Sequence, residues 1–120
     1  MTYAEIFASL KGKFMEADVS SIQEHLAYQF NIEGEGGGIF YVEAKDGVLS
    51  VEPYEYYDRD AMFTATAEVF EKIAEGKLDP VFAFTTQKLK VEGDIQKALR
   101  LKDLIDSRKK SRKSADGQSE

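Results

Sequence analysis

GKLDPVFAFTTQKLKVEGDIQKALRLKDL, residues Gly76 to Leu104, passes from a helix end through an aromatic turn and a short strand into an amphipathic helix with almost no spacer. Gly76 stops the preceding helix, since glycine is the residue that most readily takes the left-handed backbone of a C-terminal cap. Pro80 fixes its φ near the helical value and opens a new turn. Gly93 closes a strand and Asp94 caps the helix that follows. Between these stops, Val81, Phe82 and Phe84 are too apolar for a solvated connection. Leu89 and Val91 supply the short strand, and Ile95, Ala98, Leu99, Leu101, Leu104 and Ile105 recur at helical spacing to form a wide apolar face.

Working outward, periodicity assigns the rest. Thr2 and Glu5 spell a capping box ahead of Ile6, Leu10 and Phe14, so the chain opens with an amphipathic helix ending near Ala17. Leu26, Tyr28, Phe30 and Ile32 alternate with Ala27, Gln29, Asn31 and Glu33, the pattern of a strand with one buried and one wet face. Phe40, Val42 and Ala44 continue the alternation after the glycine turn GEGGG, and Asp46-Gly47 signals a tight hairpin into Val48 to Glu52. PYEYYDRD, from Pro53, reads as a loop whose tyrosines fold back as a lid. A fourth strand, Ala61 to Thr66, and a helix, Ala67 to Glu75, follow. Strands followed by helices, with few βαβ alternations, predict an α+β fold: about five strands, mostly antiparallel, covered on one face by helices.

The chain has 120 residues, enough for one core. No apolar run approaches the ~18 residues that cross a bilayer, and MTYAEIFASLKGKF lacks the cationic start and apolar core of a signal peptide, so the expected compartment is the cytoplasm. Without cysteine there is no disulfide, thiolate metal site or cysteine nucleophile. The net charge is −6, but from Ser107 onward five basic residues face two acidic ones, leaving −9 for the rest. So acidic a body repels phosphates and argues against a nucleic-acid partner. The segment 107–120 reads as a disordered basic tail, fit for transient contact with an anionic membrane surface or for solubility alone.

The run from Gly76 onward resembles the C-terminal half of the sterol carrier protein 2 family, with its similar string of helix, G-K-L-N/D-P, aromatic turn, K-L-K-V/I-x-G-D/N and final helix. FNIEGEGGGIFYVEAKDG, Phe30 to Gly47, is similar to that family's first hairpin. The chain departs from the pattern at Gln87, where the family usually has glycine, and at Phe40, where it often has Trp. The resemblance covers roughly Ile6 to Ile105. It implies a lipid-binding domain over 1–106, with an apolar tunnel between sheet and helices.

Several constellations admit both a structural and a functional role. Phe63, Phe70, Phe82 and Phe84 come from elements that converge on one side of the sheet, and phenylalanine serves equally as plain core or as the wall of an apolar site. The resemblance favours the site, with Thr64, Thr66, Thr85, Thr86 and Gln87 as candidates for its polar mouth. The glycines of GEGGG lack the Gly-Lys-Ser/Thr ending of a phosphate loop. His25 is the lone histidine, so no histidine pair can hold a metal, and Asp60 is expected to orient backbone. Phe7, Leu10 and Phe14 either touch a membrane interface or pack on the domain, and packing is the expectation. The expected function is non-enzymatic binding, and transfer, of a lipid such as a fatty acyl chain, acyl-CoA, phospholipid or sterol-like ligand. Its tunnel would be lined by Phe40, Val42, Phe63, Phe70, Ile73, Phe82, Phe84 and Leu99, with no metal, cofactor or catalytic residue. The alternative is a protein interaction or oligomerisation module with a filled core, and a weaker one is an enzyme using Asp60 or His25 as base.

Overall fold

The computed structural model of the protein describes residues 2–119, with side chains through Ser107. The elements are α1 (Tyr3–Phe14), β1 (Leu26–Glu33), β2 (Gly38–Lys45), β3 (Val48–Glu52), β4 (Ala61–Thr66), α2 (Ala67–Ala74), α3 (Pro80–Thr85), β5 (Lys90–Gly93) and α4 (Ile95–Ser119). They form one five-stranded sheet of order β3-β2-β1-β4-β5. Three of its pairings are antiparallel, and β1 runs parallel to β4. The α+β class with a mostly antiparallel sheet is therefore what the chain builds.

Side-chain alternation decides what the sheet buries. Phe30 stands opposite Phe40 on one neighbour and Phe63 on the other, and Tyr28 stands between Val42 and Ala61. These residues share the face covered by helices, and all are buried. Ile6, Leu10 and Phe14 of α1, with Phe70 and Ile73 of α2, complete the core, so the apolar face of the first helix packs on the domain as expected. Lys13 joins the two helices by ion pairs to Glu71 at 2.5 Å and Glu75 at 2.8 Å. The Thr2/Glu5 capping box is formed, but α1 ends at Phe14 rather than near Ala17, with Met15 as its C-cap. Asp46 and Gly47, at φ 53° and 77°, make the two-residue turn that pairs Lys45 with Val48.

Two expectations need correction or limitation. The second face of β1 is wet only towards its end: Ala27 and Gln29 are buried, with residues 53–60 folded back across the sheet, whereas Asn31 is half-buried and Glu33 exposed. The Tyr56 backbone N–H and the Arg59 guanidinium both donate to Gln29 Oε1, at 3.3 and 3.4 Å, and the Tyr56 ring meets Tyr41 edge-on at 5.1 Å. Of the three tyrosines expected to fold back as a lid, Tyr56 does so, whereas Tyr54 and Tyr57 are exposed. The backbone of α4 continues to Ser119, where the sequence reading places a disordered tail at 107–120; the side chains beyond Ser107, and Glu120 altogether, lie outside the described residues. Among the described residues no helix is long and apolar enough to cross a membrane.

Candidate apolar ligand groove

Asp79 begins α3 as its N-cap, accepting the Val81 backbone N–H at 2.9 Å, and Pro80 occupies the first helical turn. Only Pro80 and Ala83 of this six-residue helix are buried, so its larger side chains cannot belong to the main core. α4 begins after Asp94, whose carboxylate accepts the Lys97 N–H at 3.1 Å. Tyr28 anchors the helix to the sheet by donating its buried hydroxyl to the Lys97 carbonyl at 2.6 Å, and burial raises the pKa of that hydroxyl well above the usual tyrosine range. The apolar face of α4 is wider than the sheet can cover. Leu101, Leu104 and Ile105 are buried, whereas Ile95 and Leu99 remain about half exposed.

The surplus apolar surface of α3 and α4 encloses a groove of about 290 Å³. Its floor is Phe63 and Val91 of the sheet, its walls include Val81 and Phe84 of α3, and Ile95 and Leu99 of α4. Lys102 is the charged residue of the lining and bonds Asp79 Oδ2 at 3.4 Å, so one ion pair ties the start of α3 to the middle of α4. A second, more polar hollow of about 300 Å³ shares Pro80 and Lys102 with the first and adds Asp79 and Asp106. Lys102 thus stands where an apolar space gives way to a polar one.

Of the residues expected to line a tunnel, the structure brings Phe63, Phe84 and Leu99 together in this groove. Phe40, Val42, Phe70 and Ile73 lie instead in a filled core: Phe40 stacks on Phe30 at 4.8 Å, and Phe70 meets Phe30 edge-on at 5.2 Å. Phe82 lies outside the lining and is exposed. The expected tunnel is here a groove at one end of the interface between sheet and helices. Of the candidates for a polar mouth, Thr85 lines the groove, its hydroxyl donating to the Val81 carbonyl at 2.9 Å; Thr86 lies outside the lining and donates to the Phe82 carbonyl at 2.9 Å, while Thr66 caps α2. Thr64 accepts from Asn31 Nδ2 at 3.4 Å on the other sheet face, and Gln87 is outside the lining. Lys102 was missed by sequence reasoning, yet Ile95, Ala98, Leu99 and Lys102 share the helical spacing that marks one face.

Neither of the two candidate bases, Asp60 and His25, lines the groove. Asp60 orients backbone as expected: its carboxylate accepts the Ala27 N–H at 2.8 Å and its carbonyl accepts the Asp94 N–H at 2.8 Å. His25 faces Glu43 at 2.6 Å, on the sheet face away from the groove.

A model of the SCP-2 sterol transfer family matches residues 5–106. The chain is 34% identical over 102 residues to hydroxysteroid dehydrogenase-like protein 2 of Rattus norvegicus; the match covers 84% of this chain and 19% of that protein. The chain therefore spans about a fifth of the length of that relative. Among solved structures it resembles palmitated SCP2L2 of Aedes aegypti, with a TM-score of 0.62 at 21% identity over 88% of this chain and 95% of that one. It also resembles the inverting sec-alkylsulfatase Pisa1 of Pseudomonas sp., with a TM-score of 0.65 at 20% identity over 75% of this chain and 14% of that one. At these identities the structures establish the fold.

Proposed function

The chain belongs to the SCP-2 sterol transfer family, and from that premise we propose that it binds one lipid by its hydrocarbon chain in the groove between α3 and α4, with an anionic head group beside Lys102. The observation that carries this reading is a groove walled by hydrocarbon, with one cation where it meets a polar hollow. An apolar chain laid on those walls gains roughly 25 cal/mol per Å² of surface removed from water. The volume sits near the lower end of the ~300–1,000 Å³ usual for small-molecule sites, which suits a single acyl chain. The palmitated state of the Aedes aegypti neighbour supports an acyl ligand for the same fold. Binding and release involve no covalent step. The dehydrogenase-like relative carries about four fifths of its length outside the matched region, so its activity is not transferred to this chain.

The test is a titration of delipidated protein with a fluorescent fatty acid. Saturable binding near one site per chain is expected, and Phe84→Asp should weaken it by tenfold or more, whereas Tyr57→Ser on the exposed loop should leave it unchanged. Lys102→Ala should erase any preference for the free acid over its methyl ester. A folded protein that takes up no lipid, or equal effects of Phe84→Asp and Tyr57→Ser, would overturn the reading and favour a protein interaction module.

A further inference from the structure

We propose that Phe63 sets the depth of the groove and so selects a slim hydrocarbon chain against a rigid fused-ring lipid. This rests on the ligand reading above and narrows it to one shape of ligand. β4 turns Ala61, Phe63 and Ala65 towards the helices, and of these three Phe63 alone is large. On the same face it stands between Phe30 of β1 and Val91 of β5. Phe63 lines the groove and yet is only 1% exposed, so its ring lies at the bottom rather than on a wall.

A floor made by a side chain yields to a ligand where there is space behind it. Behind Phe63 stand other rings: Tyr28 meets it edge-on at 5.3 Å and Phe30 lies against it at 5.2 Å. Neither is free to retreat. Tyr28 is held by its hydroxyl on the Lys97 carbonyl at 2.6 Å, and Phe30 is stacked on Phe40 at 4.8 Å and met edge-on by Phe70 at 5.2 Å. All of these rings are buried, and an interior packed in this way resists added volume because pushing one ring moves the next. The walls are fastened too. Pro80 and Ala83 of α3 are buried, and Lys102 of α4 holds Asp79 at 3.4 Å.

These constraints sort lipids by cross-section. The lining residues Ile95, Leu99 and Lys102 run roughly 10 Å along α4. A saturated chain is narrow and turns about each of its C–C bonds, so it follows that row at the depth Phe63 allows, with its carboxylate at Lys102. Four fused rings keep one width and do not bend. On a floor at this height they stand out between Phe84 and Leu99, which are already about half exposed, and leave much of their apolar surface in water. A cavity of about 290 Å³ has little room to absorb the difference.

Displacement of the fluorescent fatty acid from the full chain tests the proposal, with palmitate and cholesterol sulfate as competitors. Each carries one anionic group for Lys102, so the comparison turns on the skeleton. The parent should bind palmitate about tenfold or more tightly than cholesterol sulfate. Phe63→Ala should narrow that gap about fivefold or more by deepening the groove, and Phe63→Leu should narrow it less. Phe70→Ala removes a ring of the same core outside the groove and should leave the ratio unchanged, which separates depth from general loosening. Circular dichroism identifies the folded variants, and Phe63→Leu carries the test if Phe63→Ala does not fold. Equal binding of the two competitors by the parent would overturn the proposal while leaving the groove a lipid site. So would a ratio that the Phe63 variants shift no more than Phe70→Ala does. A folded parent that takes up neither competitor would overturn the lipid reading itself, and this inference with it.

Discussion

Gln87 takes the backbone through φ 65°, a region that costs most residues with a Cβ about 1–2 kcal/mol. It does so to end α3: its N–H reaches the Phe84 carbonyl at 3.1 Å and the Lys88 N–H reaches Ala83 at 2.8 Å, the paired bonds of a Schellman cap. α2 ends in the same way, with Gly76 at φ 76° and bonds from Gly76 to Ile73 and from Lys77 to Lys72. Identical caps with different residues give opposite expectations. Gln87→Gly should stabilise the fold by about 0.5–1 kcal/mol, the relieved strain less the added freedom of glycine in the unfolded chain. Gly76→Ala should destabilise it by about 1 kcal/mol. Urea denaturation midpoints measure both, and a Gln87→Gly midpoint below the parent would mean that the glutamine side chain repays its strain. Gly76 announced its cap in the sequence because glycine is the usual residue there. Gln87 could be placed only through the family resemblance, since a glutamine carries no mark of the backbone it adopts.

The loop 53–60 shows the same limit for whole elements. Its composition identifies a loop and suggests a lid, but its fastenings come from distant strands. The Tyr56 hydroxyl donates to Glu43 Oε2 at 2.7 Å, and His25 Nε2 meets the same oxygen at 2.6 Å. The parallel pairing of β1 with β4 was also illegible, because no local pattern says on which side of β1 the chain returns, whereas Asp46-Gly47 fixed the β2–β3 hairpin outright. Burial pushes the Glu43 carboxyl up, but the bonds from Tyr56 and His25 outweigh it and hold the group below its usual range. A carboxyl lowered by folding stabilises the protein above its unfolded pKa and loses that contribution as pH falls through the folded value. Tyr56 is pushed up to about 12, first by its bond to Glu43 and then by burial, so its contribution holds below the usual tyrosine pKa and is lost as pH rises towards about 12. Tyr56→Phe should therefore cost about 1 kcal/mol near neutrality and flatten the stability profile at both its acid and its alkaline end. Urea midpoints across pH would show this, and a profile parallel to the parent's would mean that the bond does not hold the loop.

At the scale of the molecule, one supply of aromatic residues serves two purposes, at two ends of the layer between sheet and helices. Phe14, Phe30, Phe40 and Phe70 close one end of the helical layer by ring contacts at 4.8 to 6.5 Å, leaving that end filled. At the other end the small α3 and the overwide face of α4 leave Phe84 and Leu99 in contact with solvent, and Phe63 belongs to both regions, touching Phe30 at 5.2 Å and flooring the groove. Composition could count these rings but could not say which end stays open, because that depends on where a six-residue helix comes to rest. The separation predicts a crossed pattern of effects. Phe70→Ala should cost about 3–5 kcal/mol in urea denaturation, as expected for a large side chain removed from a packed core, with fatty-acid affinity in the folded fraction nearly unchanged. Leu99→Ala, on a half-exposed residue, should cost under about 1 kcal/mol and yet weaken fatty-acid binding several-fold. If Phe70→Ala instead altered affinity as much as Leu99→Ala, the lipid would have to reach into the space that the rings now fill, and the ligand site would extend through the core as a tunnel.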